Sequence, residues 1–471
     1  MEYRVEHDLL GEHRVASDAL YGIHTVRSVE NFDITGRRVH PSWIHAMGEV
    51  KAACARTSHM LGAWQDNDAK AKAIDDACME VAQGKHDTSV PIDPLQGGAG
   101  TSLNMNINEV IANRALEILG YEKGDYAHVS PLDDINYQQS TNDVCPTAAK
   151  IALIRMIDAF MPALKTLELT LMRKASEFKD VVKVGRTQYQ DAVLTTLGLE
   201  FKAYSEALSR DFERFVRARK ALMTVNLGGT AIGTCVSASH DYVARVVDVL
   251  SEVTGLELSQ DKDLIDGTQN LDVYANLSGV MKTLVVTLLK MSTDLRFMSS
   301  GPQAGIAEIR LPARQAGSSI MPGKVNPVIA EAMTQACFTV IGHDTAITYA
   351  TSQGNLELNA FLPLICDCLL NDLEMMRKAC NMMTHRCIEG IEANVDKCKA
   401  GVASSTALIT AMVSRIGYDR SCAIEIEAHK EGKSIRDKLL ELGLMTAEEI
   451  DALTSAERVY STMKCDHCHT H

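Results

Sequence analysis

Apolar residues recur at helical spacing through the middle of the chain. Between residues 276 and 298, Leu277, Val280, Met281, Leu284, Leu288, Met291, Leu295 and Met298 return every three or four positions, the period of one helix face. Val285, Val286 and Leu289 fill the opposite side, so this helix is apolar nearly all round and belongs inside a bundle. Phe201, Tyr204, Leu208, Phe212, Phe215 and Leu222 line a second helix. Ile157, Phe160, Met161, Leu164, Leu167 and Leu171 line a third, where Pro162 is expected to make a kink or mark a junction. A fourth long helix is expected from about Leu356 to Asn394, with Pro363 as a second kink, and a charged, alanine-rich one near Asp66–Gly84. No strand-like alternation of any length stands out. The stripes read as core packing, and helices this long and apolar suggest bundles packed from several subunits.

Three segments follow from these patterns. Residues 1–140 mix short helical stretches with loops, 141–397 carry the long helices, and 398–471 change to short amphipathic helices. In the last segment Gly432 and Gly443 punctuate the chain, and Thr446 with Glu449 has the spacing of a capping box. The expected fold is mainly α.

Composition narrows the function. The chain has 471 residues, 46% of them apolar and only 5% aromatic, with 21 methionines. This mixture suits packed helices better than sheets. A net charge of −14 argues against nucleic acid or an anionic membrane as the main partner. Positive charge for an anionic substrate must then be local to a site. The opening MEYRVEHDLLG lacks the apolar core of an export signal, and no apolar run is long enough to span a bilayer. Thirteen scattered cysteines read as reduced thiols of a cytoplasmic protein.

Four stretches combine small hydroxyls, amides and glycine: QGGAGTSLNMN, with Thr101, Ser102, Asn104 and Asn106; QSTND, with Ser140, Thr141 and Asn142; GRTQYQDAV, with Arg186, Thr187, Gln188 and Asp191; and GSSIMPGKVNP, with Ser318, Ser319, Lys324 and Asn326. Such donors can converge on a carboxylate without a metal. Each stretch alone also fits a helix cap or a surface turn. Neither QGGAG nor GGTAIG (Gly228–Gly233) meets the pattern of a nucleotide-binding loop. No GxSxG elbow marks a serine nucleophile.

Taken together, the four stretches resemble the aspartase/fumarase superfamily. VNLGGTAIGT, DLLG and YGIHTVRSVENF match further segments in the expected order. The likeness covers essentially the whole chain to about residue 395 and the rest more loosely. It implies a homotetramer around a central helical bundle, with each active site shared by three subunits, and no cofactor. It also implies an elimination. A base removes the proton beside a carboxylate, a dianionic aci-carboxylate forms, and the leaving group departs to give fumarate. By the same resemblance Ser318 is the base. Thr101, Ser140, Thr141 and Ser319 hold the β-carboxylate. Lys324 and Asn326 hold the α-carboxylate with Thr187 near it, and Asn142 and Gln188 face the amino group. Glycines and prolines in GSSIMPGKVNP would let this loop open and close.

Three details resemble the aspartase branch, which releases ammonia from L-aspartate: QGGAGTS before NMN, QSTND, and Gln188 where fumarases carry histidine. Leu194, Leu362 and Arg415, with Ala360, Phe361 and Ser414 beside the last two, depart from the usual family residues. The alternatives are a hydratase of the malate–fumarate kind, a lyase for another β-activated amino acid or a substituted amine, and a non-catalytic structural relative. The tail CDHCHTH lies outside the resemblance. Cys465, His467, Cys468, His469 and His471 have ligand types and spacing for weak metal binding. The elimination needs no such metal, and a solvated chain end is the expected reading.

Overall fold

The structure, a computed structural model, describes residues 2–461. It is built from helices, as the periodicity predicts. In the first part of the chain a hairpin, β1 (Tyr3–Asp8) and β2 (Gly11–Ala16), precedes α1 (Ile23–Asn31), α2 (Pro41–Met60), α3 (Asp68–Ala82) and α4 (Thr101–Leu119). The 37-residue α5 (Thr141–Glu177) follows, then a second hairpin, β3 (Val182–Thr187) and β4 (Gln190–Thr196), and α6 (Leu197–Ala221). After α7 (His240–Thr254) and α8 (Leu264–Gln269) come α9 (Asp272–Met298), α10 (Val328–Ser352) and α11 (Leu362–Arg386). Six shorter helices, α12 (Val395–Ser404) to α17 (Ala456–Ser461), close the described chain.

The chain divides into two compact units. One holds the chain to Met161 with Glu213–Thr283 and Phe338–Arg377; the other holds Pro162–Phe212, Leu284–Cys337 and the chain from Lys378. Each of α5, α6, α9, α10 and α11 crosses this division. Within the first unit α2 lies on α3 and α7, and Phe160 of α5 meets Phe215 of α6 at 5.0 Å between ring centroids. Within the second, Phe178 meets Phe201 edge-on. The predicted stripes are the buried faces: Leu277, Met281, Leu284, Leu288, Met291, Leu295 and Met298 are all buried. Burying each such side chain is worth about 1.5–3 kcal/mol. The opposite side of α9 is less covered within one chain, with Val286 56% exposed.

Several expectations need correction. The fourth long helix starts at Leu362 and ends at Arg386. Pro363 sits in its first turn, where a missing N–H costs nothing, and so opens the helix instead of kinking it. Residues 356–361 form a loop that Asn359 closes by donating to the Ala350 and Thr351 carbonyls. α5 runs unbroken through Pro162, and the division between the units falls there. Two hairpins stand where no alternation was visible. In the first, the exposed Leu9–Leu10 turn is held by Asp8, whose carboxylate accepts the Leu10 N–H at 2.8 Å. The strands β1 and β2 bury only Glu6 and Val15 between them, so they carry almost no apolar period.

The last helices form their own small core from Leu408, Met412, Ile424, Ile435, Leu439, Met445 and Ile450. The Thr446–Glu449 capping box is present in both directions. Arg415 lies 4.0 Å from Glu449. The cysteines and histidines of the tail lie outside the described residues. Among the described residues, no helix is long and apolar enough to cross a membrane, and the eleven cysteines are unpaired and mostly buried.

Candidate active site

The candidate residues fall into two sets, one in each unit. In the first unit, Thr101 and Thr141 are the first residues of α4 and α5. Gly98, Ala99 and Gly100 all have positive φ (91°, 58° and 98°), so the chain curls tightly into α4. Gly100 is packed so closely against α5 that a Cβ there would meet Cys145 Sγ at 3.2 Å. Two helix N-termini therefore lie side by side. Several of their first N–H groups have local partners, Thr101 on the Gly98 carbonyl, Leu103 on Gln96 Oε1 and Asn142 on Ser140 Oγ, and their dipoles favour negative charge.

The side chains around these termini are tied in a definite sense. Thr141 Oγ1 accepts from Asn104 Nδ2 at 3.0 Å, which leaves the threonine proton free to point outward. Ser140 Oγ accepts the Asn142 N–H at 3.3 Å and keeps its own proton. Asn142 spends Nδ2 on the Ala231 carbonyl at 2.7 Å, leaving Oδ1 free to accept. Thr101 differs: its hydroxyl donates to the Gly98 carbonyl at 2.7 Å and must turn to reach a ligand.

Asp143 was not singled out from the sequence, although it ends QSTND. Its buried carboxylate accepts the N–H groups of Ser140 (2.9 Å), Gly228 (3.1 Å) and Thr230 (3.1 Å). Burial pushes this carboxyl up to about 6 against those donors. Asp143 thereby ties the start of α5 to the GGTAIG loop. Only the D of the motif hinted at this, since a carboxylate in the first turn of a helix is ordinarily a cap.

The second unit carries the other two stretches. GRTQYQDAV is the β3–β4 hairpin. Its tip is Gln188–Tyr189, both left-handed (φ 54° and 63°), the conformation a two-residue turn demands. Thr187 and Gln188 are exposed there. Behind them Arg186 Nη1 pairs with Glu308 at 2.7 Å, and buried Lys183 bridges Glu308 (2.7 Å) and Glu200 (2.8 Å). Tyr189 lies edge-on to Phe297, 5.0 Å between centroids. Leu194, a departure from the family pattern, pairs with Val184 in the ladder.

Ser318, Ser319, Lys324 and Asn326 share the loop Gly317–Pro327. Asn326 Nδ2 donates to the Gly317 carbonyl at 2.7 Å, and the Gly317 N–H donates to Lys324 O at 2.9 Å, which closes the loop at its base. Ser318 Oγ accepts two backbone N–H groups, from Ile320 at 3.2 Å and Met321 at 3.1 Å. An oxygen so placed is disposed to carry negative charge. Lys324 is exposed, and among the described residues no carboxylate pairs with it. Its charge is available to a ligand.

The "Lyase" family model matches residues 11–342, and the "Fumarase C C-terminus" model matches residues 408–460. The chain belongs to the aspartase/fumarase lyases. Aspartate ammonia-lyase of Bacillus subtilis (strain 168) is 44% identical over 452 residues, covering 96% of this chain and 95% of its own length. That of Helicobacter pylori (strain J99 / ATCC 700824) is 43% identical over 461 residues, covering 97% and 98%. The crystal structure of fumarate lyase:delta crystallin from Brucella melitensis, bound to cobalt, superposes with a TM-score of 0.93 at 42% identity, covering 96% of this chain and 98% of that one. The class II fumarase of Schistosoma mansoni gives 0.91 at 31%, covering all of both chains. The fold of this chain is the aspartase/fumarase fold, and a small dicarboxylate is the substrate class its family uses.

Proposed function

We propose that this lyase eliminates ammonia from L-aspartate to give fumarate, reversibly and without a cofactor. Ser318, as alkoxide, takes a proton from the carbon beside the β-carboxylate. The electron pair moves into that carboxylate and makes it a dianion. The C–N bond then breaks, ammonia leaves with the bonding pair, and the double bond of fumarate forms. Thr101, Ser140, Thr141 and Ser319 hold the β-carboxylate as its charge doubles. Lys324, Asn326 and Thr187 hold the α-carboxylate, and Asn142 with Gln188 faces the ammonium group.

The observation that carries the mechanism is the pair of N–H groups on Ser318 Oγ, because an alkoxide needs such donors. The paired N-termini of α4 and α5 support the β-carboxylate assignment, since they favour added negative charge. The free oxygen of Asn142 suits an ammonium donor. The choice of leaving group is supported by relatives at 42–44% identity that bear the name aspartate ammonia-lyase.

The assembly we propose is a homotetramer in the cytoplasm, with each site drawn from three subunits and with 1–140, 141–397 and 398–471 as its domains. Val286, Phe338 (60% exposed) and Tyr349 (68% exposed) lie on long helices with open apolar surface, which suits burial against further copies. The test is spectrophotometric. Fumarate absorbance should rise with L-aspartate and stay flat with L-malate. A rise with malate alone would make the protein a hydratase.

A further inference from the structure

Lys51 lies in the middle of α2 and is 1% exposed. Its ammonium donates to Gln139 Oε1 at 2.8 Å and Asn136 Oδ1 at 3.2 Å. Among the described residues no carboxylate forms an ion pair with it; the nearby Asp143 carboxylate is taken up by three backbone amides. A buried cation with only amide oxygens for partners costs stability. Packing alone would be served by an apolar side chain of the same length.

The hydrogen bonds beyond Lys51 have one direction. An ammonium can only donate, so Asn136 must present Oδ1. That oxygen also accepts from Asn104 Nδ2 (3.1 Å) and Asn108 Nδ2 (3.2 Å). Asn104 must therefore present its NH2 group, and the same nitrogen reaches Thr141 Oγ1 at 3.0 Å. The threonine oxygen is then an acceptor on its inner side, and its proton points away from Asn104. Asn104 Oδ1 and Asn108 Oδ1 are buried without partners, as expected of amides held in one orientation by their donors. If Lys51 were uncharged, Asn136 and Asn104 could both turn over. Asn104 Oδ1 would then draw the Thr141 proton inward and leave a lone pair facing the ligand.

We infer that Lys51 is a positioning residue for the elimination: through Asn136 and Asn104 it fixes the Thr141 hydroxyl as a donor to the β-carboxylate, and it sets a buried positive charge behind that site. The inference rests on the reading that Thr141 holds this carboxylate. Its effect is largest when the carboxylate becomes a dianion, so it acts on turnover more than on substrate binding.

Lys51→Met in the full-length protein tests it. The variant should lose roughly ten- to a hundredfold in kcat, the range of one donor and one charge at such a site, with KM changed less than about threefold. Succinate, a dicarboxylate without the extra charge, should bind as it does to the unaltered protein. A nitronate analogue of aspartate, which carries the second charge, should weaken by the same factor as kcat. Turnover within twofold of the unaltered protein, in a variant with unaltered circular dichroism, would overturn the inference. If Lys51→Met does not fold, Asn104→Leu cuts the same chain of hydrogen bonds without touching the lysine, and the same split is expected. Full turnover in folded Asn104→Leu overturns it equally. Thr141→Val separates the two levels. If it leaves succinate and nitronate affinities unchanged, the carboxylate assignment itself is wrong, and the role of Lys51 falls with it. If it weakens the nitronate while Lys51→Met does not, only the role of Lys51 is wrong.

Discussion

A serine hydroxyl is a weak base in water, and what changes this at Ser318 is local. The N–H groups of Ile320 and Met321 point at its oxygen, and Lys324 adds a cation to the same loop. Ser318→Ala should cost turnover on the order of a hundredfold to ten-thousandfold, the usual worth of a positioned proton acceptor, while secondary structure and subunit assembly stay intact. Stopped assays with purified variant check this, and near-normal turnover would remove Ser318 from the chemistry. Lys324→Ala should weaken succinate by about 1.5–3 kcal/mol, the value of a charge-assisted contact, or roughly one to two decades in Kd. Lys51 adds a signature in stability. Burial holds its ammonium at about 8, against 10.5 in the unfolded chain. Cys54 and Cys145 beside it are pushed up to about 12, and Asp143 titrates near 6, so between pH 8 and 10 the ammonium is the member of this group that changes charge. The unfolded chain holds the proton more tightly than the folded one. The contribution of Lys51 to stability therefore rises with pH across that window, by about 3 kcal/mol in full. Urea unfolding at pH 7.5 and 9.5 should show the unaltered protein gaining on Lys51→Met. Parallel behaviour of the two would contradict a buried, charged lysine.

Elements show which parts of the molecule a sequence makes plain. The stripes of α5, α6 and α9 were legible because each repeats one face over many turns, and most of the predicted stripe residues are buried, with Met161, Phe212 and Val280 half-buried. The β3–β4 hairpin was not, because its turn is Gln188–Tyr189 and not a glycine-bearing pair, so the demand for left-handed backbone left no mark in residue type. Asp143 and Lys51 stayed hidden for another reason. Their roles run through groups distant in the chain, Gly228 in one case and Asn136 in the other, and spacing carries no trace of that. The loop Gly317–Pro327 makes a test at this scale. A Cβ on Gly317 would fall 2.4 Å from Lys324 O, so Gly317→Ala must open the base of the loop. Misplacing Ser318 and Lys324 by about 1 Å costs up to a hundredfold in rate, so at least a tenfold fall in kcat is expected. The loop is mostly exposed, and the thermal midpoint should move by no more than about 2–4 °C, the equivalent of roughly 1 kcal/mol. A large loss of thermal stability with unchanged kcat would show the glycine serving the fold and not the site.

At the scale of the whole molecule, the candidate residues are split between two units: Thr101, Ser140, Thr141 and Asn142 in one, and Thr187, Gln188, Ser318, Ser319, Lys324 and Asn326 in the other. Five helices, α5, α6, α9, α10 and α11, contribute residues to both units, and Val286, Phe338 and Tyr349 leave apolar surface on two of them. If sites are shared between subunits of a tetramer, Ser318 of one chain works with Thr141 of another. Two inactive variants can then repair each other. Ser318→Ala and Thr141→Val homotetramers should each turn over slowly. Mixed in denaturant and refolded together, they should form hybrids in which some sites receive an unaltered serine from one chain and an unaltered threonine from another. Turnover of the mixture should exceed the sum of the two separately refolded variants, and size-exclusion chromatography should place it in the tetramer fraction. If both residues served the same site from a single chain, no hybrid could contain an intact site. The mixture would then stay at the level of its parents however well it assembled. Equal turnover in mixed and unmixed samples, with tetramers recovered in both, would rule out shared sites while leaving the chemistry of Ser318 untouched.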